Sequence, residues 1–386
     1  MYLDHNAGGR VRPEVADVLV EWLRSPMGNP SSLHEAGRNA RSAIEAAREE
    51  VARLVGAAPS EVVFTSGGTE ANNLAVRGTA VPEGGVVTTA IEHASVVAAA
   101  RAAGVAGSSV TELGPDGQGR LTPEQVRASV DGQTALVSVG WANGEIGTVQ
   151  PIAEIVRAVR EANPRARVHS DVVQAVSQLE VDVASADLDL ASVSAHKLGA
   201  PAGVGALVVR RGATPAPLFV GGPHERDRRA GTENAAGIVA FGAAARLARV
   251  ERQAYAERAL ALRERLWTRL STGAAPVERF GAVDGLPGTL AVGFPGLRGD
   301  ALAVALDLRG VAVSTGSACA AGAPEPSHVL RALGCTRELA VGGLRLSMGP
   351  ELSPEDAERA VAVLVEVVHD ARAKRSARGA GVGDAA

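Results

Sequence analysis

Between positions 36 and 54 apolar residues recur at Ala36, Ala40, Ala43, Ile44, Ala47, Val51 and Leu54, among others, with the three- and four-residue spacing of an amphipathic helix. Ser32 and Glu35 have the spacing of a capping box at its start, and Gly56 stands as its stop. Before it, Tyr2 to Gly9 reads as a short, turn-rich arm and 29–32 as a polar loop. From Glu61 onward the pattern changes to short β-rich apolar runs alternating with helical stretches. Strands are predicted at 62–65, 86–89, 109–112, 135–139, 167–170, 188–193 and 205–209, with a helix such as 153–162 between them. This alternation predicts one large α/β domain with a mostly parallel sheet. A long Ala/Leu/Arg-rich helix at about 235–270 leads out of it into a smaller α+β unit. That unit has a strand at 289–294, a helix at 300–308, a strand at 311–314, a Gly/Ala/Pro-rich loop to 326, a strand at 343–347 and a last helix from 354 to about 372.

The chain has 386 residues, 46% of them hydrophobic, which suffices for two domains with substantial cores. A net charge of −4 makes no general electrostatic case for nucleic acid or an anionic membrane as partner. Aromatic residues are 3% of the chain, too few for a base-stacking platform, and the arginine-rich run 372–378 reads as solvated. The N-terminal residues lack the basic and apolar regions of a signal peptide, and no apolar run reaches bilayer length, so the expectation is a cytoplasmic protein. Two cysteines, Cys319 and Cys335, are too few for a disulfide framework or a four-cysteine metal site, and no metal is expected.

Lysine is scarcer than the positive charge suggests: Lys197 and Lys374 are the only two. Lys197 lies in Ser194-Ala195-His196-Lys197, at the carboxyl end of an apolar strand, where open α/β sheets place their ligands. A desolvated lysine can lose its proton and form a Schiff base, which arginine cannot; the alternative is a snorkelling or salt-bridged side chain. Phe64-Thr65-Ser66-Gly67-Gly68-Thr69-Glu70 runs from a strand through two glycines into a helix, a setting for phosphate on the Gly68 and Thr69 side, or an ordinary glycine turn. Asp171 ends another strand with Gln174 three residues on. If a helix starts there, both side chains address one planar ring and the carboxylate suits a pyridinium nitrogen; otherwise Asp171 is a helix cap. His93 follows a strand end and reads either as a ring-stacking group or as a packed, capping histidine, with Glu92 beside it solvated. Cys319 sits among small residues, as a nucleophile in an accessible loop does, whereas Cys335 reads as incidental.

Together these stretches resemble the cysteine desulfurases of the NifS/IscS type, within the class V aminotransferase-like pyridoxal phosphate enzymes. The resemblance runs from Tyr2-Leu3-Asp4 to about Val368 and includes His224-Glu225-Arg226, Arg229-Ala230-Gly231-Thr232, Gly316-Ser317-Ala318-Cys319 and the run from Glu325 to Gly334. It implies a fold-type I homodimer with a seven-stranded, mostly parallel sheet in a large domain at 12–248, a small domain made of 1–11 and 249–372 that carries the Cys319 loop, and a disordered tail at 373–386. It further implies that Lys197 holds pyridoxal 5'-phosphate covalently, Asp171 pairs with the ring nitrogen, Gln174 meets the phenolic oxygen, and His93 stacks on the ring and moves protons. Thr69, Ser194 and His196 would bind the phosphate, joined by Thr232 from the neighbouring subunit, and Arg345 would bind the substrate carboxylate. L-cysteine would give L-alanine and a persulfide on Cys319, passed to a sulfur-acceptor protein of iron–sulfur, tRNA-thiolation or DNA-modification type. The loop length resembles the long-loop group rather than the SufS type. Related readings are a selenocysteine lyase, another lyase of this family, or a non-catalytic sulfur-relay scaffold. Gly8-Gly9 stand where the family has two threonines, Pro223 replaces a glycine, and Gly144 replaces the second of two asparagines, leaving Asn143 as the nearest amide for cofactor or substrate.

Overall fold

The structure, a computed structural model, describes residues 1–25, 28–315 and 326–380. After the N-terminal arm come α1 (Pro13–Arg24), α2 (Glu35–Leu54), β1 (Val62–Thr65), α3 (Gly68–Thr79), β2 (Gly85–Thr89), α4 (Ala94–Val105), β3 (Ser109–Leu113) and α5 (Pro123–Ala128). Then follow β4 (Thr134–Ser138), α6 (Ile152–Ala162), β5 (Arg167–Asp171), β6 (Leu190–Ser194) and β7 (Gly205–Val209). These seven strands form one sheet in the order β1-β7-β6-β5-β4-β2-β3, parallel except where β7 pairs with β6 and β1.

Strands of this kind are covered on both faces, which explains their near-continuous apolar sequence. Alternate residues serve opposite layers: Val62 and Phe64 pack into a cluster with Ile44, Ile155 and Phe241, while Val63 packs with Leu74, Val76 and Val96. The edge strand β3 is mostly exposed, which accounts for its polar Ser109, Thr111 and Glu112.

Helix α7 (Ala235–Gly273) is 39 residues, about 58 Å long at 1.5 Å per residue. Its first turns carry Ile238 and Phe241 into the large core, and its last carry Leu262, Leu266 and Leu270 into a second. That second core is shared with β9 (Thr289–Gly293), α8 (Gly299–Asp307), β10 (Gly343–Ser347) and α11 (Pro354–Ala380). A short β8 (Glu278–Phe280), not foreseen from sequence, completes a three-stranded antiparallel sheet in the order β10-β9-β8. Two five-residue helices, α9 (His328–Ala332) and α10 (Arg337–Val341), precede β10.

Four expectations change. Helix α2 is capped by His34, whose Nδ1 accepts from the Gly37 N–H at 3.2 Å, and not by Ser32, because the chain still turns at Ser32. The stretch 311–314 forms only single bridges, Ala312 to Tyr2 and Ser314 to Arg345, because its two neighbours lie on different elements. No helix starts at Asp171; the chain turns irregularly from Val172 on. The last helix does not stop near Arg372 but continues to Ala380 through the first part of the segment expected to be disordered. Its Ala, Arg and Lys residues favour helix, and Arg372 ties it to the carbonyls of Ala274 and Ala275 at 3.0 and 2.7 Å. Residues 381–386 lie outside the described part, as does Cys319.

The N-terminal arm lies along the small sheet. Leu3 N–H bonds to the Ala312 carbonyl at 2.9 Å and Ser347 N–H to the Leu3 carbonyl at 2.8 Å, which delivers Asp4 to Ala7 to the carboxyl edge of the large sheet.

Candidate active site

The ends of β1, β2, β5 and β6 and the N-terminal arm surround a cavity of about 1020 Å³. Gly68, Thr69, His93, Asn143, Asp171, Gln174, Ser194, His196, Lys197 and Arg345 all line it. Thr315 and Pro326, the described residues on either side of 316–325, line it as well.

Lys197 sits in a 3-10 turn, Ala195–Leu198, directly after β6. Its Nζ donates to the carbonyls of Asn6 and, at 2.7 Å, of Ala7. Burial, and next the nearby Arg345 charge, bring its amine down to about 8. His196 beside it is held down to about 4 by burial and then by Lys197, so its ring is neutral, with Nδ1 at 2.8 Å from Ser194 Oγ.

On the opposite wall Asp171 is held by two donors. Its Oδ2 accepts from Asn72 Nδ2 at 2.7 Å, and its Oδ1 accepts from the Val173 N–H at 3.0 Å. Asn72 also donates to Ser95 Oγ at 2.9 Å, and Ser95 Oγ lies 2.7 Å from His93 Nδ1. His93 Nδ1 accepts from the Ser95 N–H too, at 3.2 Å, which makes Nδ1 the capping nitrogen of the ring. His93 is therefore both the N-cap of α4 and a cavity group. One chain of contacts thus joins Asp171 to His93 through Asn72 and Ser95, neither of which was selected from sequence. A polar Asn72 buried on α3 among Ala71, Leu74 and Ala75 is the signal that was available.

At the phosphate-suited end, α3 starts at Gly68 after Gly67, which offers no side-chain cap, so the first N–H groups of the helix are left for a ligand. A Cβ on Gly68 would stand 3.2 Å from Val173 Cγ2 and 3.4 Å from Ser194 Cβ, so a side chain here would crowd the same corner.

Arg345, buried on β10, donates from Nη2 to Asp4 Oδ1 at 2.6 Å and from Nη1 to the Gly144 carbonyl at 3.2 Å, while its Nε has no partner. Asn143 spends its side chain on protein partners, donating to the Ile91 carbonyl in the turn after β2 at 2.7 Å and accepting from the N–H groups of Glu145 and Ile146 on its own loop. Gln174 Nε2 donates to the Asn6 carbonyl at 3.1 Å and lies over Gly144, where a Cβ would approach its Cδ to 2.8 Å. Thr232 is exposed and is not among the residues lining the cavity.

Glu92, expected to be solvated, is buried. Its Oε1 accepts from the Gly140 N–H at 2.8 Å and from Thr89 Oγ1 at 3.0 Å, and burial raises its carboxyl to about 7. Glu145 is a second acid that sequence reading missed: it accepts from Ser327 Oγ at 2.7 Å, and burial raises its carboxyl too. Cys335 is half-buried, its thiol pushed up by burial and then by Glu278, which suits a quiet packing role. Among the described residues no group of His, Cys, Asp and Glu is arranged to hold a metal ion, and no helix is long and apolar enough to cross a membrane.

A lysine and an aspartate facing one cavity at the carboxyl edge of a seven-stranded, mostly parallel sheet, with an uncapped helix N-terminus between them, define an enzyme of the fold-type I pyridoxal phosphate class. The chain belongs to the aminotransferase class-V family, which it matches over residues 1–360. It is 41% identical over 377 residues to a cysteine desulfurase of Trichormus azollae, covering 97% of this chain and 94% of that one. A solved NifS-like protein superposes with a TM-score of 0.90 at 33% identity, covering 96% of this chain and 99% of the other. An SspA solved in complex with cysteine has a TM-score of 0.80 at 32% identity, covering 90% and 99%. Family membership implies pyridoxal 5'-phosphate, and the donor set fits it: a desolvated amine, a twice-anchored carboxylate and open helix N–H groups share one cavity.

Proposed function

We propose that this protein is a cysteine desulfurase that converts L-cysteine to L-alanine and passes the sulfur, as a persulfide on Cys319, to an acceptor protein. The observation that carries this reading is that Lys197 and Asp171 face the cavity on whose rim the segment holding Cys319 begins and ends.

Pyridoxal 5'-phosphate, when bound, supplies an electron sink that makes the substrate's α-hydrogen acidic. Lys197 would be its covalent anchor, Asp171 would keep a proton on its ring nitrogen, and Gln174 and Asn143 would be the nearest amides to it. Gly68, Thr69, Ser194 and His196 would hold its phosphate, and His93 would stack on the ring and move protons. Arg345, which lines the cavity, would bind the substrate carboxylate with its guanidinium, a planar fork suited to that group. The Lys197 amine, neutral in a useful fraction near neutral pH, takes the α-proton. The Cys319 thiolate attacks the substrate sulfur; the S–S bond forms as the C–S bond breaks, the bonding electrons pass to carbon, and protonation there gives L-alanine. A thiol of the acceptor protein then removes the outer sulfur, and iron–sulfur assembly is one destination such sulfur serves.

The division into a large domain at 12–248 and a small one made of 1–11 and 249–372 is part of the same reading, as is a cytoplasmic setting, where thiols stay reduced. A homodimer is supported by Thr232, exposed and away from its own cavity, which reaches a partner's phosphate site in that arrangement. The test is release of sulfide and alanine from L-cysteine with a reductant. Equimolar products from wild type, both lost in a Cys319→Ala variant that still binds cofactor, are expected; cofactor-loaded wild type that releases neither product contradicts the proposal.

A further inference from the structure

His5 follows Asp4 on the arm, its N–H bonded to the Ser347 carbonyl at 3.1 Å. Its ring is clasped between two glycines: a Cβ on Gly9 would lie 2.8 Å from Cε1, and one on Gly349 would lie 2.6 Å from Nδ1. The residue is 8% exposed, and Nδ1 has no hydrogen-bond partner. The nearest carboxylate oxygen, Glu351 Oε1, is 4.0 Å from Nδ1, an ion-pair distance too long for a hydrogen bond.

The ring borders a second cavity of about 40 Å³, room for about two or three waters. Among the described residues Lys197 alone lines both this cavity and the larger one. When cofactor and substrate fill the larger cavity, the smaller one still borders Lys197 from the other side. Every other acid around it is taken. Asp4 is bound by Arg345, Glu251 by Arg12 at 2.7 Å, and Tyr255 donates to the Met348 carbonyl at 2.6 Å. Glu351, partly exposed, is the acid left facing the ring, and besides Lys197 the cations at the cavity wall are Arg10, Arg252 and Arg12, the last paired with Glu251.

We propose that His5 is a positioning residue for Lys197, relaying protons between its amine and solvent through the smaller cavity by way of Glu351. The step is a proton transfer only. The Lys197 ammonium gives a proton, through cavity water, to the neutral imidazole; the imidazolium releases the Nδ1 proton to the Glu351 carboxylate, which loses it to bulk water. Burial, above all, pulls the His5 ring below its ordinary value against the pull of Glu351, so the resting ring is the neutral acceptor the relay needs. This inference rests on the role given to Lys197 above.

The experiment follows exchange of the α-hydrogen of L-alanine in D2O by NMR, with holoenzyme, across pH and buffer concentration; this exchange does not involve Cys319. Wild type is expected to exchange at a rate independent of buffer. His5→Gln is expected to slow exchange roughly 10-fold, below the effect of a group that touches the reacting atoms, with recovery on adding imidazole. Glu351→Gln, which leaves the ring in place, is expected to slow exchange in the same direction. Exchange in either variant equal to wild type overturns the relay, as does a slower rate that imidazole does not restore. Absence of exchange in wild type overturns instead the role of Lys197, and the relay with it.

Discussion

The two walls of the cavity are built on opposite principles. On the wall formed by α3, β5 and the start of α4, Asp171, Asn72, Ser95 and His93 hold one another, and Glu92 beneath them accepts two donors. On the wall formed by the arm, the turn after β6 and β10, polar groups wait: Lys197 is desolvated with only backbone carbonyls as partners and Arg345 Nε is unpaired, while behind Lys197, at the smaller cavity, His5 Nδ1 is unpaired too. A buried polar group without a partner costs stability; Asn72 Oδ1 on the closed wall is one such atom, but there the neighbouring groups are already joined, whereas around Lys197 the bonding is left for a ligand or a moving proton to complete. The closed wall fixes geometry, and the open wall does chemistry.

Substitutions separate the walls, and the largest effect belongs to the open one. Lys197→Ala is expected to lower L-cysteine turnover by at least about a thousandfold, because it removes both anchor and base, with the melting temperature of the chain nearly unchanged. In the wild-type chain freed of cofactor, the rate of covalent attachment of added pyridoxal 5'-phosphate should rise with pH through about 8, as the Lys197 amine becomes neutral.

On the closed wall the signature is stability rather than rate. Glu92 holds its proton to about pH 7 in the folded chain but only to about its ordinary 4.5 when unfolded. The folded state therefore binds more protons between those values, and stability falls as pH rises from about 4.5 to 7, by on the order of 3 kcal/mol. Glu92→Gln should flatten that dependence, with a melting temperature above wild type at pH 8 and converging on it toward pH 4.5.

Arg345→Gln is expected to lower kcat/KM for L-cysteine by roughly 10- to 150-fold, mainly through KM, the size of a lost charged hydrogen bond. A smaller effect is expected from Asn72→Leu, which leaves Asp171 a single donor: cofactor affinity should weaken by about 1–2 kcal/mol, measured as an equilibrium Kd. If Asn72→Leu cost more activity than Arg345→Gln, the division between a positioning wall and a reacting wall would be wrong.

Much of this was legible in the sequence because strand ends are legible. Lys197, Asp171 and His93 each follow a short apolar run, and a parallel sheet gathers such ends on one edge. The uncapped start of α3 was readable from Gly67 and Gly68 for the same reason. What was not legible depends on distant contacts. Glu92 looked solvated because nothing local shows that Gly140, 48 residues on, donates to it. Asn143 looked available as an amide until the carbonyl of Ile91, 52 residues back, and the N–H groups of its own loop were seen to use it. His5 lies in an arm with no periodicity, and its setting depends on Gly349 at the other end of the chain. Helix α11 overran its expected end because the composition that suggested disorder is also composition that favours helix once α7 and α8 provide a surface.

The most direct test of the central claim is the intact mass of the holoenzyme after one equivalent of L-cysteine, with no reductant or acceptor present. The account predicts one equivalent of L-alanine, a mass gain of one sulfur atom located on Cys319 by peptide mapping, and neither product from Cys319→Ala. L-alanine formed without added mass on Cys319, or formed equally by Cys319→Ala, would contradict it.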